Sequence, residues 1–537
     1  MRPYLYLRRW WRRTSQSNRV ITSLALCIVV ALAAWAASPT GGNTTTVRQT
    51  AGAGVAGETA LAPSAATATA EATGSTAGAA AAGGAIPAAG GSAAGGTSAA
   101  GGGSMATGAT SGAAGSGGGS LARTSTPGCL RAPSGTPGVT DKSILVAGAI
   151  VDLAGPIGNS AAGLGSADDL ARMGQAVIDD INARGGIQCR TLTMKTYKVN
   201  PLSQDQQQAQ CLQIGQDKPF IAIDVGGFAN PPGSYACIPR QKIPLAEILS
   251  VTPTEIRKFS PYLMSTNSDL ASGMRTLANG LKERGWFDPA NGFKKLGLLY
   301  DDCNPEVNGY LDAALAKNGI TSAQISKYTF ACPASGFPPP SEISQGVTQH
   351  RLAGVTHVIP LTGSGSFNSY TNVAQGQGFH PKYAVSDYQG FILTQAGPLG
   401  ASGNRDNFDR GIAITQTRYG QDSTPGIQQD AGTLRCQAIL VKAGFAPGDV
   451  FQKGGGLMCT QIWAVEAALK HAQALTRDAA LPGLFSAGTV QYSFPLADAV
   501  YRAPYKFAGG DTWWPVEWHK EDGKWHVLDR TRKPSWP

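Results

Sequence analysis

The run ILVAGAIVDL at 144–153 is apolar on both alternating faces, and a strand of that kind needs cover on both sides, as in a parallel sheet wrapped by helices. The neighbouring residues supply the cover. After the loop AGPIGNSAAGLG, Ser166 stands at an N-cap position with Asp169 three residues on, a capping-box-like arrangement. Leu170, Met173, Val177 and Ile181 then recur at helical spacing. The helix closes on AVIDDINARGGI, where Gly185 occupies the left-handed position that ends helices, and LTMKTYKV starts a second strand. These pieces predict a βαβ unit.

The unit repeats. Strands are predicted at 220–225 (FIAIDV), 243–248 (IPLAEI), 296–300 (LGLLY), 357–361 (HVIPL), 383–386 and 411–415, with helices between them including 270–284 and 306–317. Alternation sustained over residues 127–537 argues for an α/β fold with parallel sheets. The number of units predicts two Rossmann-like, doubly wound lobes rather than one sheet.

The preceding residues have a different character. Residues 1–19 hold Arg2, Arg8, Arg9, Arg12, Arg13 and Arg19 and no acid, so most of the net charge of +9 sits in this basic tail. Residues 20–37 (VITSLALCIVVALAAWAA) carry no charge and are long enough to cross a bilayer core as a helix. Arginines directly before such a segment place the N-terminus in the cytoplasm and the remainder outside. The segment reads either as an uncleaved transmembrane anchor or as a signal peptide cut near Ala34, Trp35 and Ala36. A lipoprotein reading through Cys27 is weakened by bulky Leu26 and by the apolar run continuing past the cysteine. Residues 38–126 are mostly Ala, Gly, Ser and Thr, which predicts a disordered linker with a reach on the order of 50 Å.

Composition also excludes functions. The basic surplus precedes the apolar run instead of clustering with aromatics on the folded part, which argues against a nucleic-acid partner. Eight cysteines lie beyond the apolar segment: Cys129, Cys189, Cys211, Cys237, Cys303, Cys332, Cys436 and Cys459. An even set outside the cell favours disulfides. No C-x-x-C occurs and the histidines do not group with cysteines, so no zinc or other metal site is expected. No cofactor is expected either: GPIGNS is not the dinucleotide fingerprint, and G-x-S-x-G, H-E-x-x-H and a P-loop do not occur. The chain is therefore expected not to be an enzyme.

Taken in order, VDLAGPIG, DDINARGGI, KKLGLLYDD, GFHPKYAVSDYQG and FDRGIAITQTRY resemble the type I periplasmic binding proteins, and among them the branched-chain amino-acid and amide binding components of ABC importers. The resemblance runs from about Gly138 to the C-terminus. It implies two lobes joined by a three-strand hinge, with solute held between them. On that mapping, lobe 1 covers about 138–263 and 391–505 and lobe 2 about 264–390 and 506–537. The chain would cross near Pro261 to Thr266, return near Gly390 to Leu393, and cross again before WWPVEWHKEDGKWHVL.

The resemblance also implies the ligand-facing loops. Gly226, Gly227 and Phe228 come after one strand of lobe 1, and Ser250 and Thr252 after the next. The family's hydroxyl-rich version of the first of these loops is absent here. Asn159 and Ser160 come from the leading loop. Asp301, Asp302, Asn304, Asp387 and Tyr388 come from lobe 2, where an acid would pair with a ligand ammonium. The cysteine spacing alone does not choose among the possible pairings; on the implied fold the candidate disulfides are Cys211 with Cys237, which would cover the same sheet face, Cys129 with Cys189, which precede neighbouring strands, and the sequence-local pairs Cys303 with Cys332 and Cys436 with Cys459. The expected function is extracytoplasmic capture of a small amino-acid-like or amide solute, with an ABC permease as partner. A membrane-tethered sensory receptor module without a transporter is the alternative, and a glycosyltransferase-like enzyme of paired lobes the third.

Overall fold

A computed structural model describes residues 129–536, apart from 154, 156, 157, 160–163, 230, 231, 333–337, 390–403, 419, 422 and 450–452. The basic tail, the apolar segment and the linker lie outside the described residues. Among the described residues no helix is long and apolar enough to cross a membrane.

The first sheet is built from β1 (Ser143–Val151), α1 (Ala167–Ala183), β2 (Thr191–Val199), α2 (Gln204–Asp217), β3 (Ile221–Val225), α3 (Cys237–Arg240), β4 (Leu245–Glu247), α4 (Pro253–Phe259) and β5 (Leu263–Ser265). Its strands are parallel in the order β2-β1-β3-β4-β5. The opening unit forms as its sequence dictates. Ser166 Oγ accepts from the Asp169 N–H at 3.0 Å, Leu170, Met173, Val177 and Ile181 are fully buried, and Gly185 has φ +100°.

The chain then builds a second sheet from α5 (Leu270–Glu283), β6 (Leu296–Asp301), α6 (Pro305–Lys317), β7 (Ile325–Phe330), α7 (Pro340–Leu352), β8 (His357–Leu361), α8 (Ser364–Gly376), β9 (Lys382–Ser386), α9 (Arg405–Phe408) and β10 (Ile412–Thr415). The order β7-β6-β8-β9-β10 repeats that of the first sheet. Next come α10 (Ala431–Lys442), α11 (Gly455–Lys470), α12 (Arg477–Ala480), β11 (Thr489–Val490) and β12 (Ala499–Val500). Here α11 is buried on nearly every side within the core of the first lobe. Finally β13 (Thr512–His519) and β14 (Lys524–Val527) extend the second sheet antiparallel, and β15 (Lys533–Pro534) pairs with β13. Along β13 alternate residues point to opposite faces: Trp513 enters one core layer of the second lobe, and Trp514, Val516 and Trp518 enter the other.

Three crossings join the lobes. The first comes after Ser265 and the third precedes Thr512. The second comes after Thr415, because β10 pairs with β9 and β13 in the second sheet. That places the return well after Gly390 to Leu393, the position expected from the sequence, and it assigns Ile412–Thr415 to lobe 2 instead of lobe 1. The crossings are packed backbone against backbone. A Cβ on Gly509 would lie 2.4 Å from the Thr266 carbonyl oxygen, and one on Gly510, at φ +69°, would lie 2.5 Å from the Ser268 nitrogen. Only glycine fits there.

Disulfides join Cys129–Cys189, Cys211–Cys237, Cys303–Cys332 and Cys436–Cys459, the same pairs that the fold resemblance implied. The last ties α10 to α11.

Candidate functional site: the cleft between the lobes

In an open α/β sheet, ligands sit beyond the carboxyl ends of the strands, where the strand order reverses. Each lobe has such a point, between β1 and β3 and between β6 and β8. The two ends face each other. Thr254, in the first turn of α4, donates its hydroxyl to Glu306 Oε1, in the first turn of α6, at 2.6 Å, and Tyr310 also donates to that carboxylate.

On the first lobe most of the expected contacts are engaged within the chain. Asn159 is buried and holds its own loop, donating to the Val151 and Gly165 carbonyls at 3.0 Å each and accepting from the Leu153 N–H at 2.7 Å. Ser160 lies outside the described residues. Gly226 turns the chain at φ +76°. The N–H groups of Gly227 and Phe228, expected to be available to ligand, donate to the Asp224 carboxylate at 2.8 and 3.2 Å, and the Phe228 ring is buried. Ser250 is half-buried in the next loop. Thr252 caps α4: its Oγ1 accepts from the Glu255 N–H at 3.1 Å, and its own N–H donates to Glu255 Oε2 at 3.2 Å. Tyr235 donates to the same Glu255 oxygen at 2.6 Å.

Two acids that were not expected at the site from the sequence lie under this face. Asp224 on β3 and Glu247 on β4 are register partners and both are fully buried. Burial pushes the Asp224 carboxyl up to about 6 despite the backbone donors that hold its charged form. Burial, and then the neighbouring Asp224 charge, raises Glu247 well above the usual carboxylate range. Glu247 Oε1 accepts from the Leu249 N–H at 3.0 Å, and Oε2 accepts from no donor. The sequence signal was an acid inside each of two apolar strands, FIAIDV and IPLAEI.

On the second lobe, Asp301 ends β6 half-buried and its carboxyl is raised to about 6, chiefly by burial and with a smaller contribution from Asp302. Asp302 is exposed beside it. Asn304 precedes α6 without capping it. Tyr388 is half-buried, its hydroxyl raised by burial and then by the Asp301 charge. Asp387, expected to face ligand, instead grips the second crossing, accepting from Thr415 Oγ1 at 2.7 Å, the Gln416 N–H at 2.7 Å and Thr417 Oγ1 at 2.9 Å. Among the described residues no group of three or more His, Cys, Asp or Glu side chains is placed to hold a metal ion.

By sequence the chain matches no protein-family model and no curated protein. By structure it is similar to "Periplasmic binding Protein Type 1" from Bordetella pertussis Tohama I (TM-score 0.54, 14% identity, covering 72% of this chain and 99% of that one). It is also similar to a possible leucine/isoleucine/valine-binding protein from Rhodopirellula baltica SH 1 (TM-score 0.54, 14% identity, 74% and 99%). A third similar structure is a fatty acid ABC transporter substrate-binding protein from Thermomonospora curvata (TM-score 0.52, 15% identity, 75% and 94%). Two sheets of the same strand order, three crossings and opposed strand ends thus give residues 129–536 the fold of the type I periplasmic binding proteins.

Proposed function

We propose that the chain captures a small solute between its lobes outside the cytoplasm, held to the membrane by the apolar segment at 20–37, and hands it to an ABC-type importer. The observation that carries this is the opposition of the two strand-end faces across a three-strand hinge, with Thr254 and Glu306 already in contact. Hinge closure of such lobes buries a small molecule, and the site supplies pairing groups rather than a nucleophile with its base. The solved structures of similar fold include substrate-binding proteins of ABC transporters, which supports the importer as partner.

The test is a thermal-shift panel on the full-length oxidised chain in detergent, covering amino acids, amides, urea, amines and aromatic acids. A ligand at about 100 times its Kd adds roughly 2.7 kcal/mol to the native state, a rise of roughly 3 °C for a cooperative unit of this size. Scattering should show contraction with the same compound. A folded protein that no compound shifts overturns solute capture.

A further inference from the structure

Resting on the solute-capture reading, we propose that residues 532–536 act as a strap across the hinge, which holds the two lobes at their present setting and lets them part when it is released. Its two ends lie on different lobes. At one end Arg532, its guanidinium over the Trp514 ring of β13 at 5.6 Å, pairs with Asp430 at 2.5 Å. Asp430 stands at the N-terminus of α10, which packs in the core of the first lobe. At the other end Trp536 is held to α5 of the second lobe by its own peptide groups. Its N–H donates to Thr276 Oγ1 at 3.2 Å and its carbonyl accepts from Ser272 Oγ at 2.7 Å. Those two hydroxyls are four residues apart and share one helix face, and the Trp536 ring lies against Trp513 at 5.5 Å.

Between its ends the strap is joined to the crossings themselves. Lys533 and Pro534 pair with Trp513 and Thr512 at the start of β13. The Ser535 N–H donates to the Asp511 carbonyl at 2.9 Å and Ser535 Oγ to the Gly510 carbonyl at 2.8 Å, both on the third crossing. Ser535 Oγ also accepts from Gln416 Nε2 of the second crossing at 2.6 Å. Five consecutive residues therefore touch both lobes and two of the three crossings. A change in the angle between the lobes must move Asp430 against Arg532 unless the strap travels with the first lobe, and its hold on α5 prevents that. Contacts made in one setting only stabilise that setting, and the setting held here is the one in which Thr254 meets Glu306. The anchoring side chains Arg532, Ser535 and Trp536 are half-buried, and single hydrogen bonds and ion pairs at such positions are weak enough to part during a hinge motion.

Hydrogen exchange and scattering on the full-length oxidised chain in detergent test this with Arg532→Gln and Trp536→Ala, changes at opposite ends of the strap. Each is expected to raise exchange about tenfold in the peptides spanning both crossings, 415–418 and 508–512, while α1 and β6 inside the lobes keep the parental rates. Each should also increase the mean interlobe distance. Ser535→Ala, which removes only the hydroxyl between Gln416 and Gly510, should raise exchange in the same two peptides, and it decides the matter where Trp536→Ala fails to fold. If Arg532→Gln speeds exchange only beside Asp430 and Trp536→Ala only along α5, with scattering unchanged, the strap is overturned and solute capture stands. Failure of the solute-capture reading looks different, because the crossings still respond to the variants while no compound of the thermal-shift panel moves Tm.

Discussion

Ser268 Oγ donates to Gln416 Oε1 at 2.5 Å, joining the first crossing to the second inside the hinge. The Gln416 amide continues to the third, donating from Nε2 to the Gly510 carbonyl at 2.5 Å and to Ser535 Oγ at 2.6 Å. One buried side chain therefore couples all three connections. Replacing Gln416 with Ala should cost about 1–3 kcal/mol, since it leaves buried partners unsatisfied, and should broaden the distribution of interlobe distances. Urea unfolding reads the first effect and scattering the second; unchanged scattering would mean the hinge is held by backbone packing alone.

The bond between Thr254 and Glu306 lies at the cleft edge, where a single hydrogen bond adds about 0.5–1.5 kcal/mol net. Glu306→Ala should leave global stability within about 1 kcal/mol of the parent and speed release of a bound solute severalfold. Stopped-flow dissociation decides this, and an unchanged off-rate would assign the contact to packing.

Glu466 on α11 is nearly buried, with Lys470 at 2.7 Å, Arg184 at 2.8 Å and Arg435 at 3.7 Å. Burial alone would raise its carboxyl, but hydrogen bonds from Arg184 and Lys470 outweigh it and hold the group below the usual range. A folded-state pKa below the unfolded one gives stability that is present above the unfolded value and lost as pH falls through the folded one. Glu466→Gln should cost roughly 2–4 kcal/mol at pH 7, and the gap should close as pH drops below about 4. Guanidinium unfolding at pH 7 and pH 3.5 measures both.

Asp224 and Glu247 have the opposite sign. Both carboxyls are raised, so their contribution is present below the unfolded carboxylate values; that of Asp224 is lost as pH rises through about 6, and that of Glu247 is lost as pH rises through its own raised value. Glu247→Gln, neutral and able to donate to Asp224, should raise Tm over the parent at pH 8 and much less at pH 4.5. A gain of equal size at both pH values would show that the two acids do not share a proton.

The pattern of local elements was legible because local physics decides it. Ser166 caps, Gly185 ends and the apolar stripe of α1 buries where their spacing indicates. Long-range pairing was not legible in the same way. Ile412–Thr415 reads as a strand from its own residues, but nothing in those residues says that it joins β9 and not the first lobe. The roles of Asn159 and Asp387 were hidden for the same reason, since a polar residue after a strand looks identical whether it faces solute or collects hydrogen bonds from a distant segment. Asp224 and Glu247 were visible as acids in apolar strands, and their adjacency became apparent only once the register of β3 and β4 placed them side by side.

Every disulfide closes within one lobe: Cys129–Cys189, Cys211–Cys237 and Cys436–Cys459 in the first, Cys303–Cys332 in the second. Oxidation therefore stiffens each jaw without touching the joint. The bridges resist unravelling of either half, yet add nothing to the torque needed to open or shut the cleft. Durability and gape are set by separate parts of the molecule.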